Sequence, residues 1–152
     1  MTGATVPAAP GGPQAVPSTP PTAGDVVTLA VPATTGYVGL VRSLAAGLAA
    51  RLDLDLDHVE DLRLAVSEAC AVLLPLAEPG ARLEVSMLVG ADGLAVDLAT
   101  ATAAGHVLAE DSFAWTVLAA LADGVDSGVS GGVASIRIRF GPAEETPRTG
   151  QA

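Results

Sequence analysis

The segment Asp61-Leu62-Arg63-Leu64-Ala65-Val66-Ser67-Glu68-Ala69-Cys70 lies in a run whose apolar residues Val59, Leu62, Val66, Ala69, Leu73 and Leu76 recur at steps of three and four. That spacing lines them along one stripe of an α-helix and leaves Arg63 and Glu68 off the stripe. Asp57 is the expected N-cap, with Glu60 at the third helical position as in a capping box. Pro75 and the Pro79-Gly80 pair mark where the helix frays or stops.

Upstream of this helix, Val26 to Val31 is a β-rich run stopped by Pro32, which reads as an edge strand. Thr34 or Thr35 can cap a helix from Gly36 to Ala50, whose stripe is Val38, Val41, Leu44, Ala45 and Leu48. Arg42 and Arg51 fall off that stripe and should face solvent or a partner. Downstream, Arg82 to Val89 and Gly93 to Thr100 alternate in polarity around Gly90-Ala91-Asp92, the pattern of an antiparallel hairpin. A Thr, Ala and Gly-rich loop follows, and then a third helix through Leu121, capped by Asp111 or Ser112, with Trp115, Leu118, Ala119 and Ala122 turned inward. Asp126 to Gly132 reads as a glycine-spaced turn. In the last strand, Val133, Ser135, Arg137 and Arg139 share one face, and Ala134, Ile136, Ile138 and Phe140 share the other. The order β-α-α-β-β-α-β predicts an α+β two-layer sandwich with the helices on one face of the sheet.

Composition sets the limits. The chain has 152 residues, half of them hydrophobic and only 3% aromatic, so one domain with a core of Ala, Val and Leu is expected. Six of the eleven prolines and no charged side chain fall in residues 1–24, and residues 141–152 are also rich in Pro and Gly. Both segments are expected to be disordered tails around a domain spanning 25–140. The net charge of -10 argues against direct binding to nucleic acid or anionic membrane. A single cysteine, no span of bilayer length and no basic-then-apolar leader lead to the expectation of a cytoplasmic protein. His58 and His106 are far apart with no neighbouring ligands, and Asp53, Asp55 and Asp57 lack the Gly and Glu of a calcium loop, so no metal site is expected.

The string Asp61 to Cys70 resembles the start of the N box in RsbW-type anti-sigma factors, members of the histidine-kinase-like ATPase (GHKL) family. The resemblance runs from about residue 25 to 140 and includes the Ala120-Leu121-Ala122-Asp123 end of the closing helix. It implies a Bergerat-type fold, a sigma factor and a STAS-domain anti-anti-sigma factor as partners, and a possible homodimer. It also implies roles for particular residues. Glu68 stands where the family has its catalytic base, and Arg42 matches the first-helix Arg that grips both partners.

Three boxes of the implied nucleotide site depart from the family pattern. Val72 stands in place of the Asn that ligates Mg²⁺ at the ATP phosphates. Thr100 and Thr102 stand in place of the adenine-binding Asp and the Gly that makes room for the ring. Ser112-Phe113-Ala114 replaces a Gly-x-Gly whose bare amides approach phosphate oxygens. Each lost charged hydrogen bond costs roughly 1.5 to 3 kcal/mol, so two or three such losses carry a micromolar site to about millimolar. The expectation is an anti-sigma factor that sequesters a sigma factor with no ATP or Mg²⁺ cofactor, Glu68 then being only a polar residue on a helix face. An ATP-dependent serine kinase acting on the STAS-domain protein, and a pseudo-ATPase signalling scaffold, are the alternatives.

Overall fold

The computed structural model describes residues 24–52, 54–91 and 93–141. Apart from Gly24 and Gly141, the two expected tails lie outside these residues. The elements run β1 (Gly24–Pro32), α1 (Val38–Ala49), α2 (Leu56–Leu73), β2 (Arg82–Gly90), β3 (Gly93–Ala101), α3 (Phe113–Leu121), β4 (Gly124–Ser130) and β5 (Val133–Phe140). The strands form one sheet in the order β1-β2-β3-β5-β4, with every neighbouring pair antiparallel. All three helices pack on one face, which makes the α+β sandwich of Bergerat-type topology.

The core forms where the helical stripe meets the alternate residues of the strands. Leu62, Val66, Ala69 and Leu73 of α2 are buried against Leu83, Val85 and Met87 of β2, Leu94, Val96 and Leu98 of β3, and Ile136 and Ile138 of β5. Burying each of the larger aliphatic side chains contributes about 1.5 to 3 kcal/mol. With few rings to fill space, Ala45, Ala49, Ala65 and Ala69, all at 0% exposure, let α1 and α2 approach closely.

Several local expectations change. Asp55, not Asp57, caps α2: its carboxylate accepts the His58 amide at 2.9 Å, and Asp57 falls in the first turn. Glu60 lies 3.9 Å from Arg63 instead of closing a capping box. The first helix opens with a 3₁₀ turn, Thr35–Tyr37, and its N-cap Thr34 makes no side-chain cap bond. Ser112 caps α3 as expected, accepting the Trp115 amide at 3.1 Å. Ala119 is exposed, because the inward stripe of this short helix runs through Ala114, Trp115, Leu118 and Leu121.

The segment from Asp126 is strand and not turn. Val125, Ser127 and Val129 alternate opposite Ile138, Ile136 and Ala134, so β5 recruits β4 through ladder hydrogen bonds. The turn shrinks to Gly131 and Gly132, at φ 60° and 76°, the left-handed pair required by a two-residue type I′ hairpin. Gly93 is also fixed by its surroundings, since at φ 111° a Cβ there would collide with the Phe140 carbonyl oxygen.

Candidate functional site

Two clusters of singled-out residues lie on opposite flanks of α2. On the flank facing α1 is a groove of about 580 Å³, lined by Ala33, Thr34, Val38, Gly39, Arg42, Ser67, Cys70 and Leu74 among others. Arg42 projects from α1 toward α2, where its Nη1 donates to Ser67 Oγ at 3.3 Å. The Ser67 hydroxyl itself donates to the Arg63 carbonyl at 3.1 Å, one turn back. The guanidinium lies over Gly39, where even a Cβ would sit 3.7 Å from Nη2.

Arg42 is half-buried, and among the described residues its buried Nε has no hydrogen-bond partner. Among the described residues, Arg63, Arg137 and Arg139 form ion pairs with carboxylates and Arg42 does not. A buried donor without an acceptor costs about 1 to 3 kcal/mol, more for a charged group, and an incoming carboxylate or other oxyanion would remove that cost. Beneath the guanidinium, burial pushes the Cys70 thiol up to about 12, with the positive charge of Arg42 acting in the opposite direction. Cys70 is therefore a protonated packing residue and not a nucleophile.

The other flank holds the positions that the resemblance assigns to nucleotide. Val72 is 5% exposed and belongs to the apolar core. Thr100 and Thr102 are also buried, and both hydroxyls are committed: Thr100 Oγ1 donates to the Arg82 carbonyl at 3.0 Å, and Thr102 Oγ1 shares a 3.0 Å hydrogen bond with His106 Nδ1. Ser112 is occupied as the α3 cap, Ala114 is half-buried, and Phe113 between them projects into solvent at 82% exposure. The loop joining β3 to α3 is fastened to β4 where Ser127 Oγ donates to Glu110 Oε1 at 2.6 Å. Glu68 is half-buried on α2, and no hydrogen bond or ion pair of its side chain stands among the described residues.

No group of three or more His, Cys, Asp and Glu among the described residues is placed to hold a metal ion. Within those residues no helix is long and apolar enough to cross a membrane.

Over 101 residues the chain is 40% identical to the anti-sigma-F factor RsbW of Mycobacterium tuberculosis, a match covering 66% of this chain and 60% of that protein. This chain is a homologue of the RsbW-type anti-sigma factors and serine-protein kinases. The serine-protein kinases RsbW of Bacillus subtilis and Bacillus velezensis match shorter segments, at 46% identity over 46 residues and 45% over 49. Those segments cover 30% and 32% of this chain and 29% and 31% of the two kinases. No protein-family model matches the chain.

Within this RsbW-type frame, Arg42 stands where sequence reasoning placed a partner-binding residue, and the structure adds Ser67, Gly39 and Cys70 around it. Nothing in the sequence marked those three for the groove. Their pattern is visible only in retrospect, as Gly39 lies one turn before Arg42 and Ser67 and Cys70 lie one turn apart on α2.

Proposed function

We propose that this protein regulates transcription by holding a sigma factor in the α1–α2 groove, with Arg42 as the anchoring charge, and that it does so without ATP or Mg²⁺. The observation that carries the reading is the half-buried guanidinium of Arg42, which has no carboxylate partner, and whose Nε has no acceptor, among the described residues. A STAS-domain antagonist presenting an acidic side chain would compete for the same donor and release the sigma factor. ATP independence is supported by the Val72 side chain in the core and by hydroxyls at Thr100 and Thr102 that are already bonded. The mycobacterial relative is named an anti-sigma-F factor, which supports the sigma-binding half of the proposal.

The Bacillus relatives support a second reading more directly than the first, since each is named a serine-protein kinase. On that reading Glu68, unpaired on α2, is the base that activates a serine of the STAS-domain protein, and ATP with Mg²⁺ is the co-substrate. Calorimetric titration with ATP-Mg²⁺ separates the two. No saturable binding below about millimolar nucleotide is expected from the loss of two or three charged hydrogen bonds, and micromolar binding with transfer of label to a serine would establish the kinase. For the sigma-binding reading, Arg42→Ala should weaken capture of a cognate sigma factor by roughly thirtyfold, the equivalent of about 2 kcal/mol at an interface Arg. Unchanged capture removes Arg42 from the interface.

A further inference from the structure

Two arginines of this chain use the same planar fork in different ways. Arg137 presents the edge formed by Nε and Nη2 to Asp97, holding one carboxylate oxygen at 2.6 Å and the other at 2.8 Å. In Arg42, Nη1 is spent on Ser67 Oγ, and the edge formed by Nε and Nη2 has no acceptor among the described residues. The fork that is filled by a carboxylate on the sheet stands open between the helices.

The surroundings of that open fork are apolar and elongated. Val38, Ala71, Leu74 and Pro75 wall the groove, and Cys70, at 1% exposure, forms its floor. No carboxylate lines it among the described residues, although the chain carries 17 acidic residues against 7 basic ones. The Ala33 amide donates to the Ala81 carbonyl at 2.9 Å, which ties the start of α1 to the segment after α2, so the two helices run antiparallel along the groove. Arg42 and Ser67 stand at one end, and Thr34, Thr35 and Leu74 at the other. Thr35 to Arg42 on one wall, and Ser67 to Leu74 on the other, each correspond to about 10 Å of helix rise. Gly39 lies between the ends, and a Cβ there would meet only Nη2 of Arg42 within 4 Å, so the passage is open along its length.

We propose that the groove is a binding site for a small free carboxylate with an aliphatic chain of medium length. Its carboxylate sits on the open edge of Arg42, as Asp97 sits on Arg137, and its chain runs past Val38, Gly39 and Cys70 toward Leu74. A volume of about 580 Å³ and apolar walls with one charged group at an end are the usual build of a small-molecule site. The side chain of an acidic residue would satisfy the fork and leave the apolar length empty. A chain of the length of octanoate fills both. The site itself stands on this geometry alone. Its regulatory consequence rests on the sigma-holding reading proposed above: a ligand on Arg42 occupies the anchoring charge, so ligand and sigma factor exclude each other.

Calorimetric titration of the full chain with octanoate, in the absence of any partner, should saturate with a dissociation constant of roughly 0.1 mM, ordinary for a ligand of about ten non-hydrogen atoms. Acetate keeps the charge without the chain, and octanol keeps the chain without the charge. Each should bind at least about tenfold more weakly than octanoate. Arg42→Met removes the fork and Gly39→Leu puts a side chain into the passage, and each should weaken octanoate by at least about tenfold with the circular dichroism of wild type retained. No saturable octanoate binding to the wild-type chain below about 10 mM overturns the proposal whether or not the variants fold. So does octanoate binding that acetate or octanol matches, or that survives both substitutions. Octanoate that binds as expected and yet leaves capture of a cognate sigma factor unchanged overturns only the shared use of Arg42, and it counts against the sigma-holding reading while the ligand site stands.

Discussion

The two flanks of α2 treat polar groups in opposite ways. On the β3–α3 flank, the hydroxyls of Thr100, Thr102 and Ser112 are each bonded within the chain, and Val72 is packed among aliphatics. On the α1 flank, Arg42 has a long contact to Ser67 and a buried Nε with no acceptor among the described residues. A satisfied network stabilises the fold and has little left to offer a ligand, whereas an unsatisfied charged donor is a cost that the chain tolerates and that a partner can relieve. The difference is what the proposed division rests on, with folding served by one flank and recognition by the other.

The contrast breaks most visibly at Val72. Val72→Asn restores the amide of the family's box, but it buries that amide in the core, and the loss should be about 3 kcal/mol from unmet hydrogen bonds and lost packing. Urea denaturation measures it. A variant as stable as wild type that also gains micromolar ATP affinity would show that the β3–α3 flank is a nucleotide site awaiting one residue.

Arg42→Met sharpens the same comparison from the other side. Methionine keeps the aliphatic stem and removes the unpartnered donor, so the melting temperature should rise by a few degrees, the equivalent of about 1 kcal/mol. A fall of that size would mean that Arg42 stabilises the monomer and is not reserved for a partner.

Thr100→Val should cost about 1 kcal/mol, because the Arg82 carbonyl loses its side-chain donor. Equal stability would remove that hydroxyl from the network and weaken the contrast.

One further effect is absent at neutral pH and shows only at alkaline pH. The Cys70 thiol is raised from 9.0 to about 12 by burial. The folded state therefore holds its proton more tightly than the unfolded chain, and the resulting stability is full below pH 9.0 and is lost as pH rises toward about 12. Cys70→Ala should flatten the alkaline limb of the stability profile. Identical limbs would mean that the groove is wet enough to ionise the thiol.

Local periodicity made much of this protein legible. The α2 stripe, the β2–β3 hairpin, the two-faced β5 and the Ser112 cap follow from spacing and turn chemistry, which act over a few residues. Two local readings failed where competing groups stood close together. Asp57 was the expected cap, but two residues earlier Asp55 is the one whose carboxylate reaches the His58 amide. Gly124 to Ser130 has weak strand propensity, and it became strand only because β5 offers a ladder to pair with.

The sequence by itself determined the helices and most of the strands, since each is a matter of residue identity at fixed spacing. Only the tertiary structure decided that Val72 joins the core, that Thr100 and Thr102 spend their hydroxyls within the chain, and that Arg42 shares a groove with Ser67 and Cys70. Those facts join residues separated in sequence, such as Arg42 and Ser67 at 25 positions apart. Which donor finds an acceptor across such a distance is fixed by how the helices pack on the sheet, and no local pattern records it.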